Sequence, residues 1–405
     1  MKTLEHFLKF KNGKSSPARI EDGLYPVFGS NGIIGYSNQY NTSSNTIIIG
    51  RVGSYCGSIY FSKQKCWVTD NAIIVNAKSL DDDKFWYYFL KNLNLNNLKV
   101  GSGQPLLNQL ILKSIPVPLE LNVETRKNIS NTISIFDQKI ELNTQTNQTL
   151  EQIAQAIFKH WFIDFAPVHA KANALAAGAS PEQAELATMA SLSGKTLAEI
   201  TALQHTTPEA YHQLQQTARA FPSEFVESEM GLVPKGWEVK KIDEVLQKIP
   251  VGKKYNQKTT VPDGKIPVLD QGKSGIIGFH NDTAGVKANI QDPVIVFANH
   301  TCYMRLIHFD FSTIQNVFAF KGKNINIYWI YLATLGKQKF VEYKGHFPDF
   351  LIKQIVVPPK ELTEIFGNIV KDSFSKIALN LDTNETLAKT RDLLLPRLLS
   401  GEIEL

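Results

Sequence analysis

The sequence predicts an α+β protein of two similar globular modules and two long helices, in the order module, helix, insert, module, helix. Three observations predict it. Over residues 123–165, Ile129, Ile133, Phe136, Ile140, Asn143, Asn147, Leu150, Ala154, Ile157 and Trp161 recur at alternating spacings of four and three. That is the a/d seam of a coiled-coil helix. About 237 residues further on, Phe366, Val370, Ser373, Ile377, Asn380, Asn384, Leu387, Arg391, Leu394 and Leu398 repeat the spacing, with two Asn at the same seam positions. Ahead of each helix, a set of short strand-like segments also occurs twice.

At 405 residues the chain is too long for one core. Hydrophobic content of 43% and charged content of 20% are those of a soluble globular protein. No apolar run approaches the ~18–20 residues that span a bilayer, and the start lacks a signal-peptide core, so a cytoplasmic protein is expected. Cys56, Cys66 and Cys302 have no metal-ligand spacing and read as small packing residues kept reduced. The net charge of +5 is unevenly divided: residues 1–120 carry +5, 121–230 carry −5, 231–362 carry +7 and 363–405 carry −2. Two basic modules on a non-basic frame suit a polyanion held at two places.

The first module, residues 1–120, opens with an amphipathic piece and a loop, KNGKSSPAR at 11–19. Gly and Asn punctuate short apolar strands around GIIGY at 32–36. Strand-like segments follow at 46–61 and 66–75, then a buried helix at 84–93 and GSGQPLLNQ at 101–109. The first long helix is expected over 121–165. Residues 166–230 form an Ala-rich insert with helix starts at Ser180, Thr196 and Thr207, read as a few short helices on or near the frame. The second module, 231–362, restarts at VPKGWE and repeats each theme: GIIGF at 275–279, PVIVFANHTCYMRLIHF at 293–309, IYWIYLATLGK at 327–337 and IKQIVVPP at 352–359. The second long helix occupies 363–405, with Pro396 expected to bend or end it.

Catalytic signatures are missing. The sequence has no phosphate-binding loop, and Gly101-Ser-Gly103 continues into Gln-Pro rather than a helix N-terminus. Phe28-Gly-Ser-Asn-Gly32 lies between short strands and reads as a turn. An Asn/Asp-Pro-Pro-aromatic tetrapeptide is absent, and no nuclease triplet follows Pro262-Asp263 or Pro348-Asp349. His and Cys do not cluster at zinc spacing.

Taken together, the paired GIIGY and GIIGF, GSGQPLLNQ, EQIAQAIFKHWFIDF at 151–165, the VPKGWE restart and LLPRLLSGEI at 394–403 resemble the specificity subunit of type I restriction-modification systems. The resemblance covers essentially the whole chain. It implies two target-recognition domains, each reading half of a bipartite double-stranded DNA sequence, held apart by long antiparallel coiled-coil helices in a pseudo-twofold arrangement. It implies no catalytic site, metal or cofactor in this chain. S-adenosylmethionine, ATP and Mg2+ would belong to partner subunits, two for methylation and two for restriction. The second copy has KGHFP at 344–348 in place of GSGQ, which leaves that loop's role in the second module open. Two other classes also stay open: a self-sufficient DNA methyltransferase or nuclease fragment, disfavoured by the missing motifs, and a two-module adaptor for protein or RNA.

Phosphate contacts position a DNA-binding module and base-edge contacts give it specificity. Arg51, between Gly50 and Gly53 after a β run, is the best single base-reader of module one, since Arg to guanine is the commonest specific contact; a strand-end surface charge is the competing reading. Its counterparts are Asn299 and His300, with Arg305 nearby. Turn residues Ser30, Asn31, Gln271 and Lys273 are candidate contacts to base or phosphate. Lys11, Lys14, Arg19, Lys253, Lys254 and Lys258 read as backbone clamps, and Gln104 and Tyr343 complete the candidate set. A helix of about 35 residues spans roughly 50 Å, or about 15 base pairs. An antiparallel pseudo-twofold places Asn143 beside Asn384 and Asn147 beside Asn380 as a polar layer; solvent-facing amides are the alternative. The apolar face around Ile157, Phe158, Trp161 and Phe162 packs either on a methyltransferase partner or on the neighbouring module.

Overall fold

In the computed structural model the chain divides into two compact units, Met1–Asn143 with Asp382–Leu405, and Thr144–Leu381. Residues 2–98, 106–117, 121–272, 275–342 and 344–405 are described.

In the first unit, Leu8–Asn12, Ala72–Ala77, Thr46–Gly50 and Ile59–Ser62 form an antiparallel sheet in that order. A smaller sheet joins Gly32–Ser37, Tyr25–Gly29 and Trp67–Val68, the last pair parallel. The run Thr46–Gly50 is buried at every position because both its faces are covered. Alternation along a strand sends Ile47 and Ile49 to one side, against Trp86, Leu90 and Leu112, and Ile48 to the other, against Phe28, Val68 and Ile74. The helix Asp83–Asn92 supplies the buried aromatic rings of the first core, Phe85, Trp86, Tyr88 and Phe89, together with Leu90.

The second unit repeats this plan. Leu246–Ile249, Val317–Gly322, Val294–Ala298 and Met304–Ile307 make the larger sheet in the same order. Lys254–Tyr255, Ser312–Ile314, Ile266–Leu269 and Ile276–His280 make the smaller one. The central strand again splits its side chains, Ile295 and Phe297 to one core, Val294 and Val296 to the other. The paired GIIGY and GIIGF segments have one physical cause. Gly35 and Gly278 take φ of 153° and 151°, and each strand pair shifts register, at Val27/Phe28 and at Val268/Leu269. A Cβ would lie 2.8 Å from Arg19 Cδ at Gly35 and 2.8 Å from Thr260 Cβ at Gly278. Both positions therefore need glycine.

Two helices of 40 residues, Val123–Phe162 and Lys360–Leu399, carry the seam. Within the first unit their segments run antiparallel: Asn143 meets Asn384, Asp137 meets Arg391, and Ile129 and Ile133 share a core with Leu395 and Leu398. Within the second unit they are again antiparallel, Asn147 meeting Asn380 and Phe162 meeting Phe366 at 5.3 Å between ring centres. Pro396 does not end the second helix, which runs on to Leu399. Proline's missing N–H costs a single bond there, one turn from the end.

Phe165, with φ of 48°, breaks the chain direction after the first long helix, and Pro167 sits in the first turn of the next, Ala166–Ala176. Pro181–Ser193, Leu197–Thr206 and Pro208–Ala220 follow, around a small core of Met189, Ile200 and Ala218. Ser180 with Gln183 and Thr196 with Glu199 form capping boxes, so these helix starts are locally encoded. Phe158, Trp161 and Phe162 are interior, packed on Trp329, Phe221, Trp237 and Phe366. The alternative of a partner-docking face at these rings is thereby corrected: they belong to the second unit's own core.

Candidate nucleic-acid interface

The central strand of each larger sheet ends at a loop held by the same hydrogen bonds in both units. In the first unit Arg51 N–H donates to Asn71 O at 2.9 Å, and Arg51 O accepts from Leu107 N–H at 2.9 Å. In the second, Asn299 N–H donates to Asn316 O and Asn299 O accepts from His346 N–H, each at 2.9 Å. Arg51 and Asn299 are thus structurally equivalent. The next residue is held alike: Val52 N–H donates to Ser30 Oγ at 3.2 Å, and His300 N–H to Gln271 Oε1 at 2.8 Å. Antiparallel pairing puts Asn12, Arg51, Asn71 and the Ser30–Asn31 turn at one end of the first module.

The side chains at these equivalent positions do different things. Arg51 is half-buried; its Nη1 donates to Asp70 O at 3.4 Å and its Nε is buried without a partner among the described residues. An unsatisfied buried donor is costly. Asn299 is buried, its Oδ1 accepting from Phe347 N–H at 2.8 Å. His300 Nδ1 meets Lys344 O at 2.9 Å, which requires the proton on Nδ1, and Nε2 then accepts from Asn316 Nδ2 at 3.2 Å. Arg305 is partly buried, donating to Asp270 O at 3.0 Å, and burial lowers its pKa. It stands across from Val296 as Tyr60 stands across from Ile48.

Of the turn residues, Asn31 is exposed, whereas Ser30 and Gln271 are bound into the loop. Lys11, Lys14 and Lys258 are exposed. Arg19 donates to Ile34 O at 3.0 Å, bracing the glycine-dependent strand beside Gly35. Lys253 pairs with Asp282 at 2.9 Å, and this bond raises its pKa. Lys254 Nζ reaches Thr313 Oγ1 at 3.1 Å and Val317 O at 3.4 Å, and burial lowers its pKa. Gln104, Lys273 and Tyr343 lie outside the described residues. The structure brings Asn143 to Asn384 and Asn147 to Asn380, each pair 2.8 Å apart, with Asn143, Asn147 and Asn380 buried.

Sequence reasoning missed Asn71 and Asn316, whose carbonyls receive the loop, and Leu107 and His346, which close it. All four hold the loop through backbone atoms, which leave no residue-type signal, and Asn316 adds its side chain only at His300. The available clue was positional: each lies where the duplicated segments realign.

Comparison with known proteins adds the following. Residues 1–152 match the type I restriction modification DNA specificity domain. The HindI type I restriction enzyme specificity subunit of Haemophilus influenzae is 38% identical over 319 residues, covering 70% of this chain and 69% of that protein. The MjaIX specificity subunit of Methanocaldococcus jannaschii is 24% identical over 350 residues, covering 79% of this chain and 69% of that one. The crystal structure of a type I restriction-modification S subunit from M. genitalium aligns over 98% of this chain and 95% of its own, with a TM-score of 0.52 at 17% identity, a likeness of fold.

Proposed function

The chain belongs to the family of type I restriction-modification specificity subunits, and from that premise we propose that its two modules each read one half of a bipartite double-stranded DNA target. The observation that carries this reading is the matched pair of strand-end loops, at Arg51 and at Asn299, built by the same bonds in both modules. Base readout needs groups fixed to hydrogen-bond precision, whereas phosphate contacts need only charge nearby. Arg51 and Asn31 supply the reading groups of the first module in this proposal. Lys11, Lys14 and Lys258 supply phosphate contacts, which makes binding salt-dependent.

The long helices set the spacer. Each has 40 residues, and about 1.5 Å of rise per residue makes it roughly 60 Å long. The polar layer of Asn143, Asn147, Asn380 and Asn384 fixes their register. Methylation and ATP-dependent cleavage fall to partner subunits, two of each kind, which hold S-adenosylmethionine, ATP and Mg2+. The assembly works in the cytoplasm. Among the described residues no helix is long and apolar enough to cross a membrane.

Selection of DNA from a random pool by the chain assembled with its methyltransferase partner tests the reading. Two short defined blocks separated by an unspecified spacer are expected, together with binding that weakens as salt rises. A single continuous block, or salt-insensitive binding, would contradict it. The purified chain alone, given methyl donor or Mg2+, is expected to modify no DNA.

A further inference from the structure

We infer that Ser30 and Gln271 are equivalent positioning residues: each latches the reading loop of its own module, and so sets how strictly that module discriminates its half-site. The inference rests on the proposed function and names an element of specificity within it.

In the first module the Ser30 hydroxyl stands where the strand Tyr25–Gly29 leaves the smaller sheet. It accepts from Val52 N–H at 3.2 Å and donates to Asn71 O at 2.5 Å. Asn71 O also receives Arg51 N–H. Ser30, Asn71, Arg51 and Val52 therefore close a small ring of bonds across the two sheets, at the residue whose guanidinium leaves the strand. In the second module Gln271 Oε1 accepts from His300 N–H at 2.8 Å, and Gln271 O accepts from Thr301 Oγ1 at 2.5 Å.

A serine hydroxyl and a glutamine amide share little beyond an oxygen that accepts. Both arrive at the same backbone donor, two residues past the strand end, from the same turn of the smaller sheet. Packing alone gives no reason for that coincidence. A need to hold this N–H does. Loss of the latch frees the loop by tenths of an ångström, which a long, mobile lysine on phosphate tolerates and a directional contact to a base edge does not. The consequence falls on discrimination rather than on overall attraction to DNA.

The test uses the chain assembled with its methyltransferase partner and measures competition between the preferred DNA and versions with one base pair changed in either half-site. Ser30→Ala is expected to lower discrimination at the first module's half-site about tenfold, the effect of losing one hydrogen bond of ordinary strength. Discrimination at the other half-site stays as it was, and Ser30→Thr, which keeps the hydroxyl, restores the loss. Gln271→Ala gives the mirror result. Equal loss at both half-sites, no loss at either, or no rescue by threonine would overturn the inference. A wild-type complex without any sequence discrimination would instead overturn the proposed function, before a variant is compared.

Discussion

Asn380 Nδ2 donates to Asn147 Oδ1 at 2.8 Å in the interior of the helix pair, and Asn147 Nδ2 continues to Ile377 O at 3.4 Å. A slip of either helix by one seam position would set one of these amides against an apolar seam residue, Leu150 or Ile377. Asn380→Leu leaves the Asn147 oxygen without its donor, a cost of about 1–3 kcal/mol. The double substitution Asn147→Leu with Asn380→Leu should recover most of that, because neither polar group remains. Chemical denaturation of the wild type, the two single variants Asn147→Leu and Asn380→Leu, and the double variant checks this; strictly additive losses would show that the two amides do not act as a pair.

Asp82 and Arg126 form a buried ion pair that ties the first module to its helix. Arg126 Nε reaches both Asp82 oxygens, at 3.0 and 2.9 Å, Nη2 lies 2.7 Å from Oδ2, and the side chains are 7% and 4% exposed. Trp86 Nε1 donates to the same carboxylate at 2.9 Å. Arg126→Ala strands a buried charge and should cost about 3–5 kcal/mol. The second module makes the equivalent tie without an ion pair, Asn326 N–H to Thr363 Oγ1 at 3.3 Å and Asn326 Nδ2 to the Glu364 carboxylate at 2.9 Å. Thr363→Val should therefore cost less, about 1 kcal/mol. Urea midpoints of the two variants compare them.

Arg51→Ala should weaken binding to the preferred DNA by about 1–3 kcal/mol, the worth of a good bidentate base contact, and should relax selection at one position of one half-site. Titration of preferred and unrelated DNA at fixed salt separates the possibilities. An equal loss on both would make Arg51 a phosphate contact.

His280 gives the second unit a pH dependence. Its ring is buried, stacks on Tyr255 at 4.0 Å, accepts from Asp282 N–H at Nδ1 and bonds Ser312 Oγ at 2.9 Å through Nε2. Burial holds its pKa below the ordinary 6.5. The unfolded chain then binds the proton more readily, so the stability His280 contributes is complete above about 6.5 and falls as the pH drops toward the folded value. Thermal unfolding between pH 7.5 and 5 should show the loss, and His280→Gln should flatten it.

Much of this architecture is legible in the sequence because it is written twice. Heptad spacing located both long helices, and the duplicated Asn pairs located their mutual register, since a repeated polar residue on an apolar seam leaves few alternatives. The GIIGY and GIIGF segments signalled strands interrupted by glycine, though not the bulge and close approach that require Gly35 and Gly278. Other features are settled by tertiary partners. Arg391 falls on the seam where the first copy has Ala154, and only the fold reveals Asp137 at 2.5 Å to pair with it. At the candidate interface, residue type pointed to Arg51, Asn299, His300 and Arg305 together. Bond length separates them: Asn299, His300 and Arg305 are bonded to their own module at 2.8–3.0 Å, whereas Arg51 reaches Asp70 O at 3.4 Å, and these bonds run to backbone atoms of distant segments, which no local pattern encodes.

In the proposed function this chain directs modification to a two-part DNA sequence. Mapping methylated adenines across the host genome with and without the gene tests it most directly. Disappearance of one bipartite motif, two short blocks with an unread spacer, is the predicted result. A methylation pattern unchanged by the deletion, in a host whose methyltransferase partner is expressed, would contradict it.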